Sequence, residues 1–364
     1  MRGAVRLIVG LGLLLGMVGW SSGKTAAATP VSPAEEILRR ALAADASQTY
    51  TGTMVLFTWG AGSGDATMVK VFHRAPGRSR LEYLGSRQEP YLVIVDDGRH
   101  RWHYRPHERV VAAGPSQANG GADPEQGLAL LSRNYRFQYG GTGEITGRLT
   151  DIVELVPRGC PHPAQRFWVD RGTGVILRTE QYRVDGSLAS LTLFTAFEPG
   201  KNVPAEHFRL EVPKEVRVIA GFAQGLSLED LSAEIGVTVR MPAALPPGFV
   251  FDGASLSESG QGKVAHLRFT DGLGVISLFE QPARRFARYR LKGAEAVPLK
   301  SGQGWLRAEC GGYVLNWTSD GINFTLVGEV PAEVLIRLAD SIPPQPGTLA
   351  NVRNVFLRLF SREE

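Results

Sequence analysis

Reactive side chains are sparse in this chain of 364 residues, and their spacing fits no familiar catalytic pattern. His100, His103 and His107 are spaced H-x-x-H-x-x-x-H. A zinc-protease helix needs H-E-x-x-H, and RHRWHYRP reads instead as a strand that stops at Pro106. On a strand, His100 and His103 face opposite sides, so no metal site is expected. GAGSGD at 60–65 lacks the Lys-Ser/Thr of a phosphate loop and opens no helix. It is expected to be a hairpin loop. No G-x-S-x-G elbow occurs. Cys160 lies near His162 in RGCPHPAQ, but nothing marks a third, orienting group, and a turn between strands is the expectation. Asn316-Trp-Thr318 and Asn323-Phe-Thr325 match glycosylation acceptors yet fall inside predicted strands. No catalytic residue is assigned and no cofactor is expected. A binding role is therefore favoured over an enzymatic one.

The elements that would carry a binding surface are mostly strands. SPAEEILRRALAADA (32–46) is predicted as a helix: Ser32 caps it, Pro33 suits its first turn and Glu35 completes a capping box. Short segments rich in β-branched and aromatic residues follow at 50–59, 67–74, 78–84, 90–97 and 99–106. A polar break at 112–127 and a short helix near 128–135 come next, then strands at 135–139, 144–156, 165–170, 175–184 and 188–197. Asp-Gly occurs at 97–98, 185–186, 252–253, 271–272 and 320–321, each beside apolar runs. Asp-Gly suits type I′ hairpin turns, so a largely antiparallel protein is expected. Helices are also predicted at 227–236, capped by Ser227, and at 331–342.

The N-terminus carries a secretory pattern. Arg2 and Arg6 precede an apolar run from Leu7 to Trp20, and Ala26-Ala27-Ala28 offers a cleavage site. The run is short for a membrane span of roughly 20 residues; a retained anchor is the alternative. Arg2, Arg6 and Lys24 account for most of the net charge. Subtracting these three from 40 Lys and Arg leaves 37, against 36 Asp and Glu. A near-neutral mature chain argues against a nucleic-acid partner. Cys160 and Cys310 are the two cysteines. After export they could form one disulfide, or stay as two buried thiols. The sequence leaves both readings open.

Aromatic residues recur on successive strands of the first half. Neighbours along a strand point to opposite faces, which leaves two arrangements. One is an ordinary core with scattered aromatics outside it; the other is a sheet curved around an apolar groove. Tyr50, Met54, Phe72, Tyr83, Trp102 and Trp168 are the candidates to line such a groove. In the second half, LRFTDGLGVISLFEQ (267–281) reads as two strands around an Asp-Gly turn. Asp271, Gly272 and Phe279 are its partner-surface candidates, by strand addition at an edge. A hairpin wholly internal to its domain is the other reading.

Two stretches carry a family resemblance. ITGRLTDIVEL (145–155) with RFWVDRGTGVILRTEQYRVDGSLASLTLFTAFEP (166–199) resembles the exported MucB/RseB family of sigma-factor regulatory proteins. LPPGFVFDGASLSESGQGKVAHLRFTDGLGVISLFEQ (245–281) is similar to that family's C-terminal domain. The first stretch is also like LolA-type lipoprotein carriers, which lack the second domain. The resemblance implies an α+β, mostly antiparallel fold: a LolA-like half-barrel with helices on its concave face, then a smaller α/β domain. The expected organisation is a signal at 1–28, a half-barrel at 29–212, a linker at 213–240, a second domain at 241–345 and a tail at 346–364. The resemblance further implies a periplasmic or otherwise extracytoplasmic negative regulator. Its partner would be the extracytoplasmic part of a membrane anti-sigma factor, shielded from proteolysis, with a lipid or lipoprotein ligand sensed in the apolar groove. A periplasmic lipid or lipoprotein carrier is the alternative, and self-association into a homo-oligomer is left open.

Overall fold

The protein is described by a computed structural model covering residues 32–344, except 61–62, 117–123, 184, 212–214, 221–222, 225, 260–261, 284–292 and 310–311. The predicted signal segment, the tail and Cys310, with its pairing to Cys160, lie outside the described residues. Among those residues, no helix is long and apolar enough to cross a membrane.

Two antiparallel meanders build the first sheet. One contains β1 (Tyr50–Gly60), β2 (Ser63–Arg74), β3 (Arg78–Leu84), β4 (Pro90–Asp96), β5 (His100–Arg105) and β6 (Val110–Pro115). The other contains β7 (Tyr135–Ile145), β8 (Arg148–Pro157), β9 (Gln165–Asp170), β10 (Ile176–Tyr182) and β11 (Leu188–Pro199). Pairing of β1 with β11 joins them. A later strand, β12 (Arg217–Ala220), adds to β6 in parallel and completes twelve strands. GAGSGD does form a hairpin connection, with Gly60 opposite Ser63.

Two helices cover one face of this sheet. In α1 (Pro33–Ser47), the Ser32 hydroxyl accepts the Glu35 N–H at 3.2 Å. The Glu35 carboxylate reaches Arg39 (3.3 Å). The second helix, α2 (Pro124–Asn134), begins inside the expected polar break. Ile37 and Leu38 of α1 and Leu128 and Leu131 of α2 pack with Val153, Leu155, Phe167 and Val169 of β8 and β9. Further along, Ala44 joins Met54, Val69, Tyr83 and Phe194. His73 pins the end of α1 to the sheet: its Nδ1 lies 2.9 Å from the Gln48 carbonyl and its Nε2 2.9 Å from the Asp45 carboxylate.

The second sheet has eight strands. They are β13 (Ala223–Gln224), β14 (Val250–Ser259), β15 (Gly262–Thr270), β16 (Val275–Pro282), β17 (Glu295–Leu299), β18 (Gly302–Glu309), β19 (Gly312–Ser319) and β20 (Ile322–Gly328). Their order is β13-β14-β15-β16-β20-β19-β18-β17. Its core joins Leu231 and Ile235 of α3 (Leu228–Ile235) to Leu335 and Leu338 of α4 (Ala332–Asp340), over Leu267, Phe269, Leu278 and Phe324. Ser227 and Asp230 complete a reciprocal capping box for α3.

The 213–240 segment differs from a bare linker: β12 joins the first sheet, while β13 and α3 join the second. The Asp-Gly pairs also divide. Those at 97–98, 185–186, 271–272 and 320–321 join consecutive strands, whereas 252–253 lies inside β14 at a register shift. Among the described residues of these pairs, only Asp320 and Gly321 both have positive φ, as a type I′ turn requires.

Candidate functional site

The six groove candidates do not share one face. Residues opposite each other across a ladder point the same way. Met54 pairs with Val69, and Val69 with Tyr83. Tyr50 is even-numbered like Met54, and all three face the helices. Phe72 instead pairs with Thr51 and Arg80, and Trp102 with Val95, which lies opposite Arg80. Trp168 pairs with Arg178, whose other neighbour is Leu193 opposite Val55. These three point away from the helices. The expectation of one common face is corrected accordingly: strand alternation divides the set, although buried Trp168 still joins the core cluster of Met54 and Tyr83, against which Tyr50 packs.

On the helix side, Tyr50 stacks on His73 at 4.9 Å and meets Phe197 at 5.1 Å. Burial, with Asp45 nearby, pushes its hydroxyl well above the usual range. Burial likewise pushes Tyr83 up to about 12. Met54 and Tyr83 are buried in the core. Beneath α1 these side chains pack into one apolar cluster, with half-buried Arg101 and His103 also on this face. On the opposite face, Phe72 stacks on His207 at 4.5 Å. Trp102 lies 5.6 Å from the His100 ring. The Trp168 ring carries two guanidinium contacts, Arg178 at 4.5 Å and Arg166 at 5.8 Å, a cation–π arrangement.

The histidines are likewise dispersed. His103, pushed down to about 4 by burial and by Arg101 and Arg105, faces the helix side, while His100 and His107 are exposed. Among the described residues, no group of three or more His, Cys, Asp or Glu could hold a metal ion. Cys160 is half-buried in the turn after β8, where its N–H donates to the Pro157 carbonyl at 3.1 Å.

The 267–281 hairpin has a defined place. Its turn inserts against the C-terminal end of α2. The Tyr135 hydroxyl donates to the Asp271 carboxylate at 2.6 Å, and the Asn134 amide donates to the Asp271 carbonyl at 2.7 Å and the Gly248 carbonyl at 3.1 Å. The other Asp271 oxygen accepts the N–H groups of Leu273 (3.0 Å) and Gly274 (2.7 Å). Gly272 has φ +96°, and a Cβ there would lie 3.2 Å from the Leu131 backbone N. Leu273 packs into the cluster beneath α1 and α2. A side-chain hydrogen bond from Gln181 to Glu329 adds a second point of contact.

Asp271 and Gly272 therefore meet the first domain, a contact that sequence pattern did not reveal. The third candidate, Phe279, lies apart on β16. It stacks on His266 at 4.4 Å, opposite it on β15. Asn134, Tyr135 and Gly248 were not anticipated; only the turn chemistry of Thr-Asp-Gly pointed toward them.

Comparison with known proteins places this architecture. Residues 33–212 match the family model of the MucB/RseB N-terminal domain. MucB from Pseudomonas aeruginosa, solved in a MucA/MucB complex, is 23% identical with a TM-score of 0.58; the match covers 86% of this chain and 99% of that one. MucB in complex with MucA(peri) is 24% identical, with a TM-score of 0.53 and coverage of 86% and 99%. MucB alone is 21% identical, with a TM-score of 0.55 and coverage of 86% and 98%. No curated protein sequence matches the chain. The structural likeness reaches beyond the matched N-terminal domain, so the fold of both domains is shared. Residues 33–212 are thus a MucB/RseB N-terminal domain.

Proposed function

We propose that this protein is an exported negative regulator that binds the extracytoplasmic domain of a membrane anti-sigma factor. The observation that carries the reading is the two-domain arrangement: nearly the whole length of MucB, solved with MucA, has its counterpart here. Bound in this way, the protein would cover its partner against proteolysis, and its place is the periplasm or an equivalent extracytoplasmic space. The apolar cluster under α1, with Tyr50, Met54 and Tyr83, is the proposed entry point for an acyl chain. Opening it requires α1 to move, which gives a lipid or lipoprotein a route to alter the partner-binding surface. A carrier would use the first domain alone; the second domain docked through the 271–274 turn favours the regulator.

A protection assay tests this. Cleavage of the anti-sigma extracytoplasmic domain by an envelope protease is expected to slow as the full chain is added, and to recover when an acylated peptide is supplied. Unchanged cleavage at saturating protein would remove the reading.

A further inference from the structure

Away from the helices and from the domain contact, an open cleft of about 300 Å³ lies between the β4–β5 turn and the 3-10 turn at Ala205–Phe208. Its lining is Arg78, Asp97, Arg99, Ala205, Phe208 and Arg209. We propose that this cleft binds a phosphoryl group, through Arg78, Arg99 and Arg209.

Three observations support the assignment. First, other arginines on this sheet have carboxylate partners: Arg80 with Glu82 at 2.6 Å, Arg148 with Asp170 at 2.8 Å, Arg171 with Asp151 at 2.8 Å. Arg78, Arg99 and Arg209 converge on one cleft with no ion pair among the described residues. Second, the one carboxylate in the lining is engaged by backbone: one Asp97 oxygen accepts the N–H groups of Arg99 and His100, both at 2.7 Å. Three cations and one anion leave two positive charges, which a phosphomonoester of about −1.5 to −2 would neutralise. Guanidinium forks match phosphate oxygens in pairs, as ammonium groups do not. Third, the walls are held. Phe208 is buried, His207 stacks on Phe72, and Arg80 donates to the His207 carbonyl at 3.4 Å. Gly98, at φ +88°, supplies the left-handed backbone of the β4–β5 turn, beside the Arg78 side chain.

The volume is at the small end for a ligand pocket, roughly 300–1,000 Å³. It suits a headgroup or a small soluble phosphate rather than a whole lipid. The two sources share the same phosphoryl chemistry, and experiment separates them. This site is independent of the anti-sigma reading, so failure of either leaves the other standing.

The test compares the full chain with an Arg78→Gln/Arg99→Gln/Arg209→Gln variant. All three side chains are exposed, so the variant is expected to keep the parent melting temperature. Inorganic phosphate is titrated calorimetrically near physiological ionic strength. In parallel, flotation is measured with vesicles of phosphatidylcholine carrying phosphatidic acid. The native chain is expected to bind at least one probe, with single substitutions weakening it about three- to tenfold and the triple variant losing it. Loss with free phosphate assigns a soluble phosphoryl ligand, and loss with vesicles alone assigns a lipid headgroup. Equal behaviour of native chain and triple variant with both probes overturns the proposal.

Discussion

Glu280 shows how a single buried residue ties this fold to pH. It lies on β16 with no exposed surface, and burial pushes its carboxyl up to about 8 from an ordinary 4.5. The Arg240 backbone N–H, donating to both carboxylate oxygens at 3.1 Å, and the Arg240 charge act in the opposite direction. The folded state thus keeps a proton that the unfolded chain releases near 4.5. Its contribution to stability is full below about 4.5 and is lost as pH rises through about 8. Asp252, pushed up to about 6 by burial, tilts the same way, so the informative quantity is a difference between variants. His103 and His266, each pushed down to about 4 by burial, tilt the opposite way; against that background the urea midpoint of the native chain is expected to drop more, or rise less, between pH 5 and pH 8.5 than that of Glu280→Gln. An unchanged slope would show that Glu280 is not the titrating group. Nothing in sequence marked this residue, because its burial follows from long-range packing. The aromatic candidates show the same limit. Phe72 and His73 are adjacent, yet one faces His207 and the other the end of α1. Assigning a face needs strand register to the residue, since a slip of one inverts it.

Among the elements, helices and hairpins were the most legible, because their signals are local. Ser32, Ser227 and Pro33 sit at the helix starts they predict. Asp230 completes its capping box even though Glu is the commoner partner. Less legible were β6 and β12: their parallel pairing joins segments more than 100 residues apart, and a four-residue strand carries no period of its own. The β15–β16 turn was visible as a hairpin but not as a domain contact, since the side of a turn that meets another domain leaves no mark on its own residues. A pair of glycine substitutions separates those two roles. Gly272→Val combines backbone strain with a clash against Leu131, whereas Gly321→Val, at φ +74° with nothing within 4 Å, carries strain alone. Each is expected to cost about 1–3 kcal/mol. Only Gly272→Val should also raise hydrogen exchange across Leu130–Tyr135. Equal exchange in the two variants would mean that the turn does not hold the domains together.

Over the whole molecule, two sheets with separate cores are joined by contacts from short segments: Asn134 and Tyr135 on one side, Gly248 and Asp271–Leu273 on the other. The family model reaches the first of these sheets, and likeness to MucB extends over both. Resemblance in the sequence had already pointed to that pair of domains; what it did not convey was how the second is seated on the first. The central claim is that the joined pair holds an anti-sigma factor from the extracytoplasmic side. The most direct measurement is a calorimetric titration of the full chain with the purified extracytoplasmic domain of its own cell's membrane anti-sigma factor. A saturable complex of defined stoichiometry is predicted. Absence of binding by the folded two-domain protein would contradict the account.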